Sequence, residues 1–113
     1  MHKYHATPTI VDGIRFASKA EAKRYQELRL LERAGEIEAL ELQPRFELSA
    51  DNARYPDTGG RTMKIGEYRG DFRYRDESGA EVVEDVKGYD TPLSRWKRKH
   101  VEAQYGVTVR IVK

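Results

Sequence analysis

At 113 residues the chain has room for one domain with a single hydrophobic core. Hydrophobic residues make up 38% and charged residues 35% of it, so the core is modest and the surface ionic. The absence of cysteine excludes disulfides, thiolate metal sites and a cysteine nucleophile, and 21 basic against 19 acidic residues (net charge +2) assigns any nucleic-acid binding to a local patch.

No apolar run approaches the length of a membrane span, and the opening stretch MHKYHATPTIVDG has no apolar signal-like segment. A soluble, cytoplasmic protein with no membrane partner is the expectation. Residues 1–113 are read as one domain, beginning with a hairpin arm over residues 1–17. There Thr9-Ile10-Val11 and Ile14-Arg15-Phe16 flank Asp12-Gly13, a pair that marks a two-residue turn because both positions tolerate positive φ.

A helix is predicted from about Lys19 to Ala34. Ser18 with Glu21 fits a capping box, and Gly35 stands where a left-handed residue ends a helix. Glu21 shares a stripe with Tyr25 and Leu28, so its carboxylate borders the apolar face. The capping box alone accounts for an acid there, and a metal-binding role competes with it for the same carboxylate.

Glu36 to Leu48 alternates weakly and is interrupted by Gln43-Pro44, which reads as one bent strand or two short ones. Residues 49–66 are polar and turn-rich and read as a long loop or mobile hairpin. Glu67 to Arg75 is a predicted strand, followed by a turn and then EVVEDVKG, Glu81 to Gly88. Thr91 and Pro92 form an N-cap and first helical residue for a helix to about Tyr105, stopped by Gly106. Val107 to Val112 closes the chain as a strand, and strand–helix–strand succession favours a parallel crossover. The fold class is α+β, with the order helix, three strands, helix, strand.

The stretch Glu81 to Gly88 is the chemical centre of the chain. Alternation puts Val83, Asp85 and Lys87 on one face and Val82, Glu84 and Val86 on the other. Charges are rarely buried unless paired, metal-bound or in use. If the preceding strand pairs with this one, Asp71 and Asp85 approach one point. Two hard carboxylates with room for waters suit Mg²⁺ or Mn²⁺, and Lys87 reaches the same site to position a water or hold a phosphate oxygen. The plainer reading is a cross-strand salt bridge at a solvent edge. Glu84 rivals Asp85 as the second acid, and parity favours Asp85.

Arg95, Trp96, Lys97, Arg98, Lys99 and His100 form the densest basic cluster, directly after this stretch. Arg95, Lys97, Arg98 and Lys99 suit phosphate contacts, with Trp96 buried or stacked on a base; a solvated helix face is the ordinary alternative. Gln43 is a further substrate-binding candidate, or an edge-strand glutamine. Lys3, Tyr4 and His5 of the arm are lesser candidates for phosphate contacts. His2, His5 and His100 lack zinc-ligand spacing, and no Gly-rich phosphate loop or nucleophilic triad is present.

The residues RGDF, then VVEDVKG, after a helix entered by SKAEAKRY, resemble the PD-(D/E)xK nuclease superfamily. The run from DGIRFASKAEAKRYQELRLLERAGEI through LQPRFEL, DFRY and VEDVKG to KRK is similar to a family of small phage and prophage proteins known as a domain of unknown function. The resemblance implies a restriction-endonuclease-like αβββαβ core, with a mixed four-stranded sheet between helices. It also implies a Mg²⁺-dependent nuclease related to Holliday-junction resolvases. Asp71, Asp85 and Lys87 fall on the two acids and the lysine of the motif, and Glu21 on the helix glutamate of the resolvase-like branch. Gly70 stands where the motif's name has proline, and Asp85 where glutamate is commoner.

The expectation is a metal-dependent endodeoxyribonuclease acting on branched or duplex DNA in recombination or replication, in the bacterial host cytoplasm if phage-encoded. Paired cuts on a symmetric junction would imply a homodimer. A non-catalytic nucleic-acid-binding module of the same fold is the alternative, and an interaction protein with a salt-bridge ladder the third reading.

Overall fold

The computed structural model describes residues 7–54 and 62–113. The arm candidates Lys3, Tyr4 and His5, together with His2 and the middle of the 49–66 stretch, lie outside the described residues. Strands β1 (Thr9–Val11) and β2 (Ile14–Phe16) form the expected hairpin, with Val11 opposite Ile14 and positive φ at Asp12 (52°) and Gly13 (75°). The Tyr25 hydroxyl donates to the Asp12 carboxylate at 3.0 Å. That bond ties the hairpin to helix α1 (Lys19–Arg33).

Helix α1 starts where Ser18 Oγ accepts the Glu21 N–H at 3.1 Å. It ends in a paired C-terminal motif: Gly35 N–H donates to Glu32 O and Glu36 N–H to Leu31 O, with Gly35 at φ 78°. Its buried stripe is Glu21, Ala22, Tyr25 and Leu28, so one carboxylate sits in line with the apolar face.

The next elements are β3 (Glu38–Leu42), β4 (Arg45–Asp51), β5 (Thr62–Arg69), β6 (Phe72–Arg75) and β7 (Glu81–Val86). Helix α2 (Pro92–Tyr105) and strand β8 (Thr108–Val112) complete the chain. The order β3-β6-β7-β8 makes a mixed four-stranded sheet, antiparallel except for the β7–β8 pair, which is parallel across α2. Thr91 Oγ1 caps α2 through the Ser94 N–H at 3.1 Å, and Gly106 closes it at φ 70°. No helix among the described residues is long and apolar enough to cross a membrane.

Two expectations are refined in detail. The strand read from Glu67 to Arg75 is two strands, broken at Gly70-Asp71, opposite the break at Gln43-Pro44. The breaks face each other: Gln43 N–H donates to Asp71 O at 2.9 Å and Gly70 N–H to Pro44 O at 3.0 Å. Two long strands therefore bend together, leaving the main sheet as β3 and β6 and continuing as the β4–β5 ribbon under α2. Of the two readings of residues 49–66, loop or hairpin, the described residues at both ends follow the hairpin: they form that ribbon, paired as far as Asp51 with Thr62. Its outer residues Met63 and Ile65 are exposed, so it has little alternation to announce a strand that backbone hydrogen bonds nevertheless build.

The sheet separates two cores. Phe72, Tyr74 and Val82 pack with Phe16, Tyr25 and Leu28 on the α1 side, while Val83 packs with Phe46, Leu48, Tyr68 and Val101 on the α2 side. Val82 and Val83 thus face opposite ways, as a two-residue period requires.

Candidate active site

The β5–β6 break has a steric cause. A Cβ on Gly70 would lie 2.6 Å from Val83 Cγ1, and the Gly70 N–H is already donated to Pro44. A proline here would lack that donor and bring a ring into Val83. Proline is therefore incompatible with this backbone at position 70. Immediately after it, Asp71 is clamped to β7 twice: its N–H donates to Glu84 O at 2.9 Å, and its Oδ2 accepts the Val86 N–H at 2.6 Å.

Asp85 is buried on the α2-side face of β7. Its Oδ2 accepts the Tyr68 hydroxyl at 2.7 Å and lies 3.4 Å from Lys87 Nζ. The parity expected for Asp85 and Lys87 is realised as an ion pair. Burial, then the bond to Asp85, pushes the Tyr68 phenol well up, so Tyr68 remains a neutral donor. The other oxygens of Asp71 and Asp85 carry no hydrogen bond among the described residues.

Glu21, Asp71, Asp85 and Lys87 line one open cleft of about 510 Å³, with Arg69 and Lys97 also on its wall. Burial pushes the Asp71 carboxyl up to about 7; Glu21 and Asp85 add to the shift, while the Val86 N–H and Lys87 oppose it. Burial also raises the Glu21 carboxyl, against the Ala17 N–H and Arg69, with Asp85 adding to the rise. The three acids thus feel one another across a partly desolvated space. Ser18 caps α1, but no hydrogen bond returns from Ser18 N–H to the Glu21 carboxylate among the described residues, and that carboxylate lines the cleft instead. As the side chains stand, no group of three or more acids or histidines among the described residues is gathered tightly enough to hold a metal ion.

Over residues 1–112 the chain matches the family described as "Protein of unknown function (DUF1064)". The chain belongs to the DUF1064 family. No curated protein and no solved structure matches it.

The remaining candidates of this DUF1064 chain divide. Lys97 reaches the cleft, and Arg95 and Lys99 are exposed nearby on α2. Arg98 is instead bidentate to Asp90, at 2.9 and 2.7 Å, and that pairing holds the Asp90 carboxyl below the usual range. Gln43 lies outside the cleft; with φ 51° it serves the strand break through its backbone. Two contributors escaped the sequence reading. Arg69 immediately precedes the break and lines the cleft, and Tyr68 orients Asp85. Tyr68 stood in the strand pattern as an apolar position, which conceals its hydroxyl.

Glu84 is the other buried acid of β7, and it turns to the α1 side. Arg24 grips it with two bonds of 2.7 Å, from Nε to Oε1 and Nη2 to Oε2, and the Tyr74 hydroxyl donates a further short bond to Oε2. Burial pushes the Tyr74 phenol up to about 12. Arg24 is one turn after Glu21 on α1. The Arg24–Glu84 clamp therefore ties the start of α1 to β7.

Proposed function

We propose that this protein is a metal-dependent endodeoxyribonuclease of the PD-(D/E)xK type. The observation that carries the reading is the convergence of Asp71, Asp85 and Lys87 in one cleft that also takes a lysine from the following helix. The succession α1-β3-β6-β7-α2-β8 supports it, being the αβββαβ order that the motif resemblance implies.

The donor set fits a hard divalent cation. Mg²⁺ commonly takes one or two carboxylates and keeps several waters, so Asp71 and Asp85 suffice as protein ligands and Glu21 stands beside them. Acids repelling one another in a partly buried cleft are relieved by a dication. When bound, Mg²⁺ or Mn²⁺ would supply Lewis acidity at the phosphate and a more acidic water.

The chain's own groups do the rest. Tyr68 holds Asp85 by one oxygen, and the other carries no hydrogen bond among the described residues. Lys87, anchored against Asp85, is placed to orient a water or donate to a phosphate oxygen. Arg69 and Lys97, both lining the cleft, neutralise the phosphate backbone. A junction-selective version would cut as a homodimer, since symmetric strands need two sites.

A panel of single-strand, duplex, forked and four-way-junction DNA, incubated with Mg²⁺ or Mn²⁺, tests the reading. Cleavage is expected on at least one substrate, and is to be lost in chelator and in Asp85→Asn with the circular dichroism spectrum unchanged. Wild-type protein that binds DNA but cuts nothing with either metal would establish the binding-module alternative.

A further inference from the structure

Trp96 is the only tryptophan of the chain, and it is half exposed on α2, next in sequence to Lys97, which lines the cleft. A half-exposed indole has an apolar face and a π-surface to offer a ligand. Its ring is not loose. It lies 5.5 Å from the His100 ring, tilted by 42°, and His100 is fixed in turn by its Nε2 donating to Ser49 O at 2.9 Å. Leu93, one turn earlier, is also exposed, extending the apolar strip.

The surroundings of this strip decide what it can take. Lys97, the next residue, lines the cleft with Asp71, Asp85 and Lys87. Arg95 and Lys99 stand on either side of the ring in sequence and are exposed. A protein partner that buried the indole would bury these cations as well, at the cost of desolvating them. A nucleic acid offers both requirements at once, phosphates for the cations and a base π-face for the indole.

We propose that Trp96, backed by His100, is a stacking platform, on the helix that supplies Lys97 to the cleft, for an unpaired nucleobase. The platform selects nucleic acid whose base faces are open: single strands, flaps, branch points and ends. Within a continuous duplex every base face is covered by its neighbours, so the indole has nothing to stack on. The inference deepens the nuclease reading, resting on it for the ligand's class, and names the structural feature that brings a phosphodiester to the site.

A single tryptophan makes the test direct. The full chain, in chelator so that nothing is cut, is titrated with an oligothymidine single strand, a fork and a duplex closed by hairpins at both ends, following intrinsic fluorescence and anisotropy of labelled DNA. Quenching is expected with the single strand and the fork and not with the closed duplex. Trp96→Ala is expected to weaken single-strand and fork binding about tenfold, leaving closed-duplex affinity unchanged, and Trp96→Phe to restore most of the loss. Fluorescence unmoved by single-strand binding, or an equal loss on all three DNAs in Trp96→Ala, would overturn the platform. So would an emission shift that follows protein concentration without DNA, which would assign the ring to self-association. Quenching without cleavage under any metal leaves the platform standing and removes the nuclease. Cleavage without quenching does the reverse.

Discussion

Glu84 and Asp85 are consecutive acids on one strand, both buried, at 1% and 6% exposure, and they meet opposite circumstances. Glu84 faces α1 and is saturated by Arg24 and the Tyr74 hydroxyl. Asp85 faces the cleft with one oxygen on Tyr68 and a lysine at 3.4 Å. The same division recurs on α2, where Arg98 is locked to Asp90 while its neighbour Lys97 opens onto the cleft. In each pair the fold spends one charge on its own architecture and leaves the other incompletely answered. Incomplete pairing of a buried charge separates a site from a brace, because a brace that left charge unanswered would only destabilise the fold.

The largest effects should come from exchanging the two acids' fates. Glu84→Ala takes two of the three carboxylate bonds from the Arg24 guanidinium, leaving it only Glu27 at 3.1 Å, and removes the acceptor of the Tyr74 hydroxyl; it is expected to cost about 3–5 kcal/mol of unfolding free energy. Asp85→Asn keeps the side chain's shape and an acceptor for Tyr68 while removing the charge beside Lys87, so urea unfolding should change little beside Glu84→Ala while cleavage falls about 10²–10³-fold. Equal destabilisation by both would erase the distinction between brace and site.

A pH series on the metal-free protein sharpens the contrast further. Asp71 titrates near 7 when folded, raised first by burial and then by Glu21 and Asp85, against about 3.9 unfolded. The folded state therefore holds its proton more tightly. This contribution is fully present below the unfolded pKa and is lost as pH climbs from about 4 through about 7. Thermal midpoints should accordingly rise as the apo protein is taken from pH 8 to pH 5, and Asp71→Asn should flatten that rise. A wild-type slope that survives in Asp71→Asn would place the proton elsewhere.

Much of this was legible beforehand, and for physical reasons. Alternation along Glu81 to Lys87 separated Asp85 and Lys87 from Glu84 because a strand's period is fixed by its covalent geometry. Ser18, Gly35, Thr91, Pro92 and Gly106 marked both helices because caps are local chemistry. The paired breaks at Gln43-Pro44 and Gly70-Asp71 were harder to see. Pro44 hinted at one, but the other depends on Val83 crowding Gly70 from a different strand. Arg24 was hidden for a related reason: its partner is Glu84, far along the chain, and an arginine on an amphipathic helix looks like any solvated cation. The 49–66 stretch left loop and hairpin open because a ribbon with an exposed outer face has no hydrophobic period to read.

The smallest effect is the most discriminating for α2, where the comparison is between two neighbouring cations. Lys97 lines the cleft, where the proposed function gives it a phosphate contact, whereas Arg98 is occupied by Asp90 and has no free donor fork to offer DNA. Each phosphate neutralised adds about 0.7–0.9 to the slope of log affinity against log salt, depending on whether the DNA is single- or double-stranded. Lys97→Ala should therefore lower that slope by about one such increment and weaken binding without regard to sequence. Arg98→Ala should leave the slope unaltered and instead loosen the start of α2, where Asp90 also accepts the Thr91 N–H. Anisotropy titrations at several salt concentrations read the first outcome, and amide exchange in the first turn of α2 reads the second. A slope change in Arg98→Ala equal to that in Lys97→Ala would mean that the Asp90 pair opens on DNA, and that the basic helix acts as one undivided surface.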